Sequence, residues 1–451
     1  MSKNGSSPKG PRCIALVGPF QSGKTTLLEA ILARTGAIAR QGSVNAGTSV
    51  GDASREARQH KMSVEATFAT TNFMGDSYTF VDCPGSIEFL HDMRAVLPAV
   101  DAAVVVCEAD EKKVPQLQLI LRELEDQNIP HFLFLNKIDK PDKRVRKTIK
   151  LLQPASRAPL LLRQIPIWKN EIIAGFVDLA LERAFVYKEH AASEIIELAG
   201  EDKNREKEAR FSMLETLADH DHELMEQLLE DIEPPRDKIF DDLAKELRER
   251  IVCPVLLGAA IRSNGVLRLL KALRHEAPGV AETAARLGVK AGYDAAALVL
   301  KSFHTAHGGK MSVVRLLTGE AGDGTTFSTP VAEVGRISGV FAVMGQNFTK
   351  RGPAVAGDTV AFGKLDGAKT GHSLSSGRQA PRHGDGETLC AGAGARAAGQ
   401  RAQGRRQARR CLHQADRGGP FAHGSAQCRK PRDRHLGPGR NASPGRRRAV
   451  G

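Results

Sequence analysis

CIALVGPFQSGKTTLLEAILART, residues 13 to 35, is the stretch that decides the fold. CIALVG (13–18) is apolar on both faces, as a strand buried inside a parallel sheet must be, and KTTLLEAILART has a helical period. Between them lies Gly18-Pro19-Phe20-Gln21-Ser22-Gly23-Lys24-Thr25. A GxxxxGK[ST] pattern between a strand and a helix is a phosphate cradle. Its glycines let backbone N–H groups converge on an anion, and the helix N-terminus adds its positive end. Lys24 is placed to pair the β and γ phosphates and Thr25 to ligate Mg2+. A plain glycine turn would explain the glycines but not the lysine and threonine that follow.

The same alternation continues outward. YTFVDCPG (78–85), AAVVVCEA (102–109) and HFLFLNKID (131–139) each run into amphipathic or basic helical sequence. VCPVLLGAA (252–260) restores a buried strand, and NGVLRLLKALRHEAP closes the unit with a helix ending before Pro278. Residues 160–250 are mixed, with one strand-like run, GFVDLALERAFVY, followed by highly charged helical sequence. From 295 to 376 short runs spaced by Gly and Asp predict a β-barrel of six to seven strands.

Three strand ends add chemistry to the cradle. Asp82-Cys83-Pro84-Gly85 puts a carboxylate near a metal's water shell and a glycine N–H near a γ-phosphate. Asn136-Lys137-Ile138-Asp139 supplies base recognition, because the Asp139 carboxylate accepts from guanine N1–H and its exocyclic amine. Adenine offers no donor there, so the unpaired carboxylate penalises ATP. A backbone N–H of Gly258-Ala259-Ala260 reaches toward the guanine O6. The expected cofactors are therefore GTP/GDP and Mg2+.

In order and spacing these residues resemble the translational GTPases, and within them elongation factor G, from about residue 12 to residue 376. RQIPIWKNEIIAGFVDLALERAFVY (163–187) and ADHDHELMEQLLED (218–231) look like the insert that this family carries within its G domain. LVLKSFHTAHGGKMSVVRLLTGEAGDGTTF, EVGRISGV and AVAGDTVAFGKL resemble its barrel-shaped second domain, which docks on the small ribosomal subunit. Three positions depart from the family pattern. Gln21 stands where the family has Asp. The first-switch RGITI becomes His60-Lys61-Met62-Ser63-Val64, so the Mg2+-binding hydroxyl is carried by Ser63. Ser86 replaces the His that orients the attacking water. Serine is short and uncharged near neutral pH, which implies slow ribosome-stimulated hydrolysis.

The charge is lopsided along the chain. The whole carries 65 Lys and Arg against 52 Asp and Glu, but residues 379–451 alone hold 16 against 4, which leaves 49 against 48 for the rest. That last segment has five Leu, Ile, Val or Phe and cannot bury enough apolar area to offset the entropy of ordering. Reading permitted codons one nucleotide later turns His413–Pro420 and Gly437–Ser443 into phrases that resemble the family's third domain, in the right order. The tail is thus expected to be disordered out-of-frame translation; the competing reading is an Arg/Gly-rich RNA-binding arm. Phe421 is its single aromatic residue, so base stacking would be scarce.

Seven cysteines without a CxxC pair and no long apolar run predict a cytoplasmic protein with no membrane partner. The expected organisation is a flexible N-terminus (1–11), an α/β P-loop GTPase domain (12–282, insert about 160–250), a small all-β barrel (290–377) and the tail (378–451). The resemblance implies a monomeric GTPase. Its partner is the ribosome, met at small-subunit rRNA and at the GTPase-activating centre of the large subunit. Without the family's third to fifth domains this chain is not expected to translocate. Alternatives are a ribosome-recycling or ribosomal-protection paralogue, or a GTP-binding regulatory module with little hydrolysis. A P-loop kinase leaves Asn136–Asp139 and the barrel unexplained.

Overall fold

The computed structural model describes residues 10–377 apart from 53, 61, 140–144, 170–171, 189–191, 199, 290–292, 306–308 and 330–331. The tail from 378 onward and most of the N-terminal segment lie outside the described residues.

Eleven described strands precede Gly258: β1 (Arg12–Val17), β2 (Thr67–Phe73), β3 (Asp76–Asp82), β4 (Ala102–Cys107), β5 (His131–Leu135), β6 (Leu160–Leu162), β7 (Gln164–Lys169), β8 (Ile172–Asp178), β9 (Arg183–Val186), β10 (Glu194–Ile196) and β11 (Cys253–Leu257). The order β3-β1-β4-β5-β11-β6 is parallel throughout, with β2 added antiparallel to β3. Every residue of β1 is buried. Cys13, Ala15 and Val17 enter one apolar core while Ile14 and Leu16 enter another, as a strand's two-residue period requires of a sheet covered on both faces. Sequence reading passes over β2 because TFATTNF is threonine-rich and lacks the continuous apolar run of the central strands, although four of its seven residues are buried.

The insert is a second, four-stranded antiparallel sheet, β10-β9-β8-β7, with helices Glu201–Ala218, His222–Leu229 and Arg236–Glu249. Here GFVDLALERAFVY proves to be two strands rather than one. Asp178 Oδ1 accepts from the N–H groups of Ala180 and Leu181, closing a turn before β9. Two buried ion pairs, Arg163 with Glu276 and Arg268 with Asp178, bolt the insert to the closing helix Val266–Glu276. Residues 194–250 hold 19 acidic against 9 basic side chains. The nearly neutral body therefore contains one strongly acidic module.

Nine described strands follow: β12 (Ala295–Thr305), β13 (Gly309–Ala321), β14 (Thr326–Ser328), β15 (Glu333–Arg336), β16 (Val340–Met344), β17 (Asn347–Arg351), β18 (Ala354–Val355), β19 (Thr359–Gly363) and β20 (Ser373–Ser376). Sequence reading expected six to seven, because β14 and β18 are only three and two residues long. The antiparallel order is β15-β14-β20-β12-β13-β19-β16, with β17 on β16 and β18 on β13. Val334 of β15 and Val340 of β16, at opposite ends of that order, share one core with Phe327 and Phe362, so the sheet curls on itself. Cys13, Cys83, Cys107 and Cys253 are buried free thiols, and no described helix is long and apolar enough to cross a membrane.

The two units meet where β16 bridges β2, where Lys301 pairs with Glu65, and at Asp101, just before β4. Its Oδ2 accepts from the Cys13 N–H at 2.7 Å and from Arg315 Nη2 of β13 at 2.6 Å. Its Oδ1 accepts from Thr283 Oγ1 at 2.6 Å. Arg315 also donates to the carbonyls of Pro11 and Gly357, and both Arg315 and Asp101 are fully buried. Arg315→Leu leaves the carboxylate buried without its paired cation, and the expected loss is about 3–5 kcal/mol of unfolding free energy. Urea unfolding of Arg315→Leu, Asp101→Asn and the double variant checks this, the double variant losing less than the sum of the single ones.

Candidate nucleotide-binding site

Because β1, β3, β4, β5 and β11 run parallel, the residues that follow them gather at one edge of the sheet, where ligands bind in such folds. Gly18 leaves β1 with φ +148°, and a Cβ there would lie 2.1 Å from the Val106 carbonyl oxygen, so no other residue fits. The loop then turns through Gln21, at φ 57°, into helix α1 (Lys24–Arg34). Gly23, at the helix N-cap, offers no side chain, and the first turn contains no acidic residue. The first N–H groups of α1 are left for an anion to satisfy.

Lys24 is 6% exposed and its Nζ donates to the carbonyls of Gly18 and Pro19 at 3.0 and 3.1 Å. Burial pushes its pKa down to about 8, opposed by the nearby Asp82. Thr25 Oγ1 donates to Asp82 Oδ2 at 2.7 Å and lies 3.1 Å from Ser63 Oγ. Thr25, Ser63 and Asp82, 57 residues apart at the extremes, thus form one cluster. The Asp82 carboxyl is fully buried with Oδ1 unpartnered, and burial raises its pKa to about 7 against the pull of Thr25 and Lys24.

Asp52, which sequence reading did not single out, completes the cluster. It is 3% exposed, burial raises its carboxyl above the ordinary carboxylate range against the pull of Ser63 and Lys24, and its Oδ1 has no partner. A hard divalent cation fits this set of hydroxyls and orphaned carboxylate oxygens, directly or through water. Pro84 is buried, and Cys83 is buried with its N–H on the Leu16 carbonyl. Gly85 packs so tightly that an added Cβ would lie 2.2 Å from Lys24 Nζ. Ser86 is half-buried in extended backbone, at φ −78° and ψ 142°, ahead of the exposed Ile87. Gln116, also unforeseen, spans the loops by donating to the Gly85 carbonyl and accepting from the Phe20 N–H.

At the base side, Asn136 Nδ2 donates to the Ser22 carbonyl and its Oδ1 accepts from the Ala260 N–H, both at 2.9 Å. Lys137 Nζ donates to the Gln21 carbonyl at 2.7 Å and pairs with Glu108 at 2.9 Å. Ile138 is buried and Asp139 faces Arg262 at 3.8 Å. The N–H groups of Gly258 and Ala259 are donated to the carbonyls of Leu135 and Asn264. With Ala260 bonded to Asn136, all three of these N–H groups are engaged within the protein, so a guanine O6 would share or displace one of them.

A parallel sheet with a lysine-bearing glycine loop, a hydroxyl and carboxylate cluster and an Asn–Asp element at successive strand ends defines a nucleotide-binding P-loop protein. The profile of the elongation factor Tu GTP binding domain matches residues 9–279, and the chain belongs to that family. It is 37% identical over 367 residues to an elongation factor G-like protein of a Synechocystis species, covering 81% of this chain and 54% of that one. A crystal structure of a Thermus thermophilus protein superposes with a TM-score of 0.73 at 27% identity, covering 83% of this chain and 55% of the other. The chain spans about half the length of these relatives.

Asn136 holds the phosphate loop and the base loop together before any ligand arrives. Asn136→Ala strands the buried Ser22 carbonyl and Ala260 N–H, and the expected destabilisation is about 1–3 kcal/mol for each group left unpaired. Denaturant unfolding of ligand-free protein measures it.

Proposed function

We propose that this chain binds Mg2+-GTP and hydrolyses it to GDP and phosphate on the ribosome, as a translation factor resembling elongation factor G. The observation that carries the reading is the convergence of Thr25, Ser63 and Asp82 beside Lys24. In this reading the Gly18–Lys24 loop and the α1 N-terminus hold the phosphates, with Lys24 supplying charge to the β and γ groups. Thr25 and Ser63 would ligate Mg2+, with Asp82 on its ligands or their water; the metal would neutralise charge developing on the transferred phosphoryl group. Lys137 and Glu108 brace the base loop against Gln21, leaving Asp139 to select guanine. The 12–282 and 290–377 units would act together in the cytoplasm as a monomer, meeting small-subunit rRNA and the GTPase-activating centre.

Ser86 sets the rate in this scheme. It can hydrogen-bond a water but supplies no positive charge to the γ-phosphoryl transition state. Wild type should hydrolyse GTP slowly even with ribosomes, and Ser86→His should raise the stimulated rate by about 100-fold. Turnover assays with and without ribosomes, with ATP as control, decide it. Equal and robust stimulation of both proteins would sink the role given to Ser86, and equal affinity for ATP and GTP would overturn the guanine assignment.

Binding should also follow pH. Mg2+-nucleotide needs the Asp82 carboxylate charged and the Lys24 ammonium protonated. Burial raises the first group to about 7 and lowers the second to about 8. Affinity for Mg2+-GDP is therefore highest between those values. It falls on the acid side as Asp82 takes up a proton and on the alkaline side as Lys24 loses one. Calorimetric titrations across that range check the two limbs, and Asp82→Asn should remove the acid limb together with most of the Mg2+ dependence.

A further inference from the structure

The loop that brings Asp52 to the Thr25–Ser63–Asp82 cluster is tied down by a side chain that is not a member of that cluster. Glu29 lies on α1 four residues after Thr25, hence on the same helix face. It is 1% exposed. Its Oε1 accepts from the N–H groups of Val50 and Gly51 at 2.6 and 3.3 Å, and its Oε2 from that of Gly42 at 3.1 Å. A single buried carboxylate thus closes residues 42–51 into a loop, fastening both of its ends to the helix that begins at the phosphate cradle.

The fastening leaves little slack at the metal side. A Cβ on Gly51 would lie 2.7 Å from Thr25 Cγ2 and 3.0 Å from Asp82 Oδ2, so this backbone runs directly against the Thr25–Asp82 pair. Thr67 Oγ1 donates to the Gly51 carbonyl at 2.7 Å, and Asp52, the next residue, is buried close enough to feel the charge of Asp82 and Lys24. At the other end a Cβ on Gly42 would lie 2.5 Å from Glu29 Oε2. Three N–H bonds on a charged acceptor in a water-poor site are strong ones.

We infer that Glu29 is a positioning residue for the metal side of the nucleotide site, holding Gly42, Val50 and Gly51 so that Asp52 and Ser63 face Thr25 and Asp82. The inference rests on the reading of this cluster as a Mg2+ site. It assigns Glu29 no contact with nucleotide, so its removal should change how much Mg2+ strengthens binding and not how the phosphate loop binds by itself.

The test uses the full chain and GDP affinity measured by calorimetry with Mg2+ and with EDTA. In wild type Mg2+ strengthens GDP binding; were it to have no effect, the metal reading itself would fall and this inference with it. In Glu29→Ala the affinity in EDTA should stay within about twofold of wild type, while the gain from Mg2+ shrinks about tenfold or more, the range for losing an outer partner of a metal site. Glu29→Gln keeps one acceptor oxygen and should lose less of the gain. Gly42→Ala pushes the loop off the carboxylate without touching the core of α1 and should shrink the gain in the same direction. An unchanged Mg2+ gain in Glu29→Ala and Gly42→Ala overturns the inference, as does an equal fall in EDTA and in Mg2+. Hydrogen exchange on wild type needs no variant to fold: the Val50 and Gly51 amides should be protected, and exchange at the rate of a free loop would also overturn it.

Discussion

Asp101 is the point from which both units are hung. A fully buried carboxylate is costly unless its lone pairs are answered, and here the answers come from three parts of the chain. They are the Cys13 N–H in β1, the hydroxyl of Thr283 and the guanidinium of Arg315, which is itself held by the carbonyls of Pro11 and Gly357. An apolar contact would stabilise as much area but would not fix the register of β1 against β4 or the placement of β13 beneath them. The directionality of these bonds does both. The same parallel strands that start at Asp101 end at the phosphate loop and at Glu108, so the mooring and the site lie at opposite ends of one rigid sheet.

At the site end the rule is reversed. Where Asp101 has every oxygen satisfied, Asp82 and Asp52 each keep an unpartnered oxygen, Lys24 spends its ammonium on carbonyls of its own loop, and the first turn of α1 has no cap. Burial without full pairing raises the carboxyl and lowers the ammonium pKa, toward each other. A divalent cation and a polyphosphate would relieve all of these at once, since the metal meets the carboxylates and hydroxyls while the phosphates take the lysine and the helix end. The strained electrostatics are affordable because Gly18, Gly23 and Gly85 are wedged against Val106, Asn136 and Lys24, positions where a Cβ has no room and the backbone cannot drift.

How much of this could be read from the chain depended on sequence distance. Gly18–Thr25 is a contiguous strand–loop–helix signal, and Asp82 and Asn136 each sit at the end of an apolar run, so local pattern found them. Ser63 came only from resemblance, because nothing in HKMSV marks a neighbour of Thr25. Asp52, Glu29 and Gln116 carry no local mark either; their meaning lies in partners that only folding brings near. The Arg315–Asp101 pair, 214 residues apart, is beyond any pattern in a single chain. The misread run at 175–187 has a different cause. Its turn is built from Leu179 and Ala180, both fully buried, and the Asp178 side chain supplies the turn chemistry that Gly or Pro would have announced.

The balanced charge of the body also turns out to be a cancellation. The insert's 9 basic and 19 acidic groups between 194 and 250, set against 49 and 48 for residues 1–378, leave 40 against 29 for everything else. A polyanion approaching such a molecule meets two domains of opposite character. The β12–β20 unit, residues 295–376, holds 8 basic against 5 acidic side chains, whereas the three insert helices repel phosphate at distances up to about one Debye length. Net charge near zero therefore conceals an uneven field, because an acidic segment and a basic remainder sum to almost nothing.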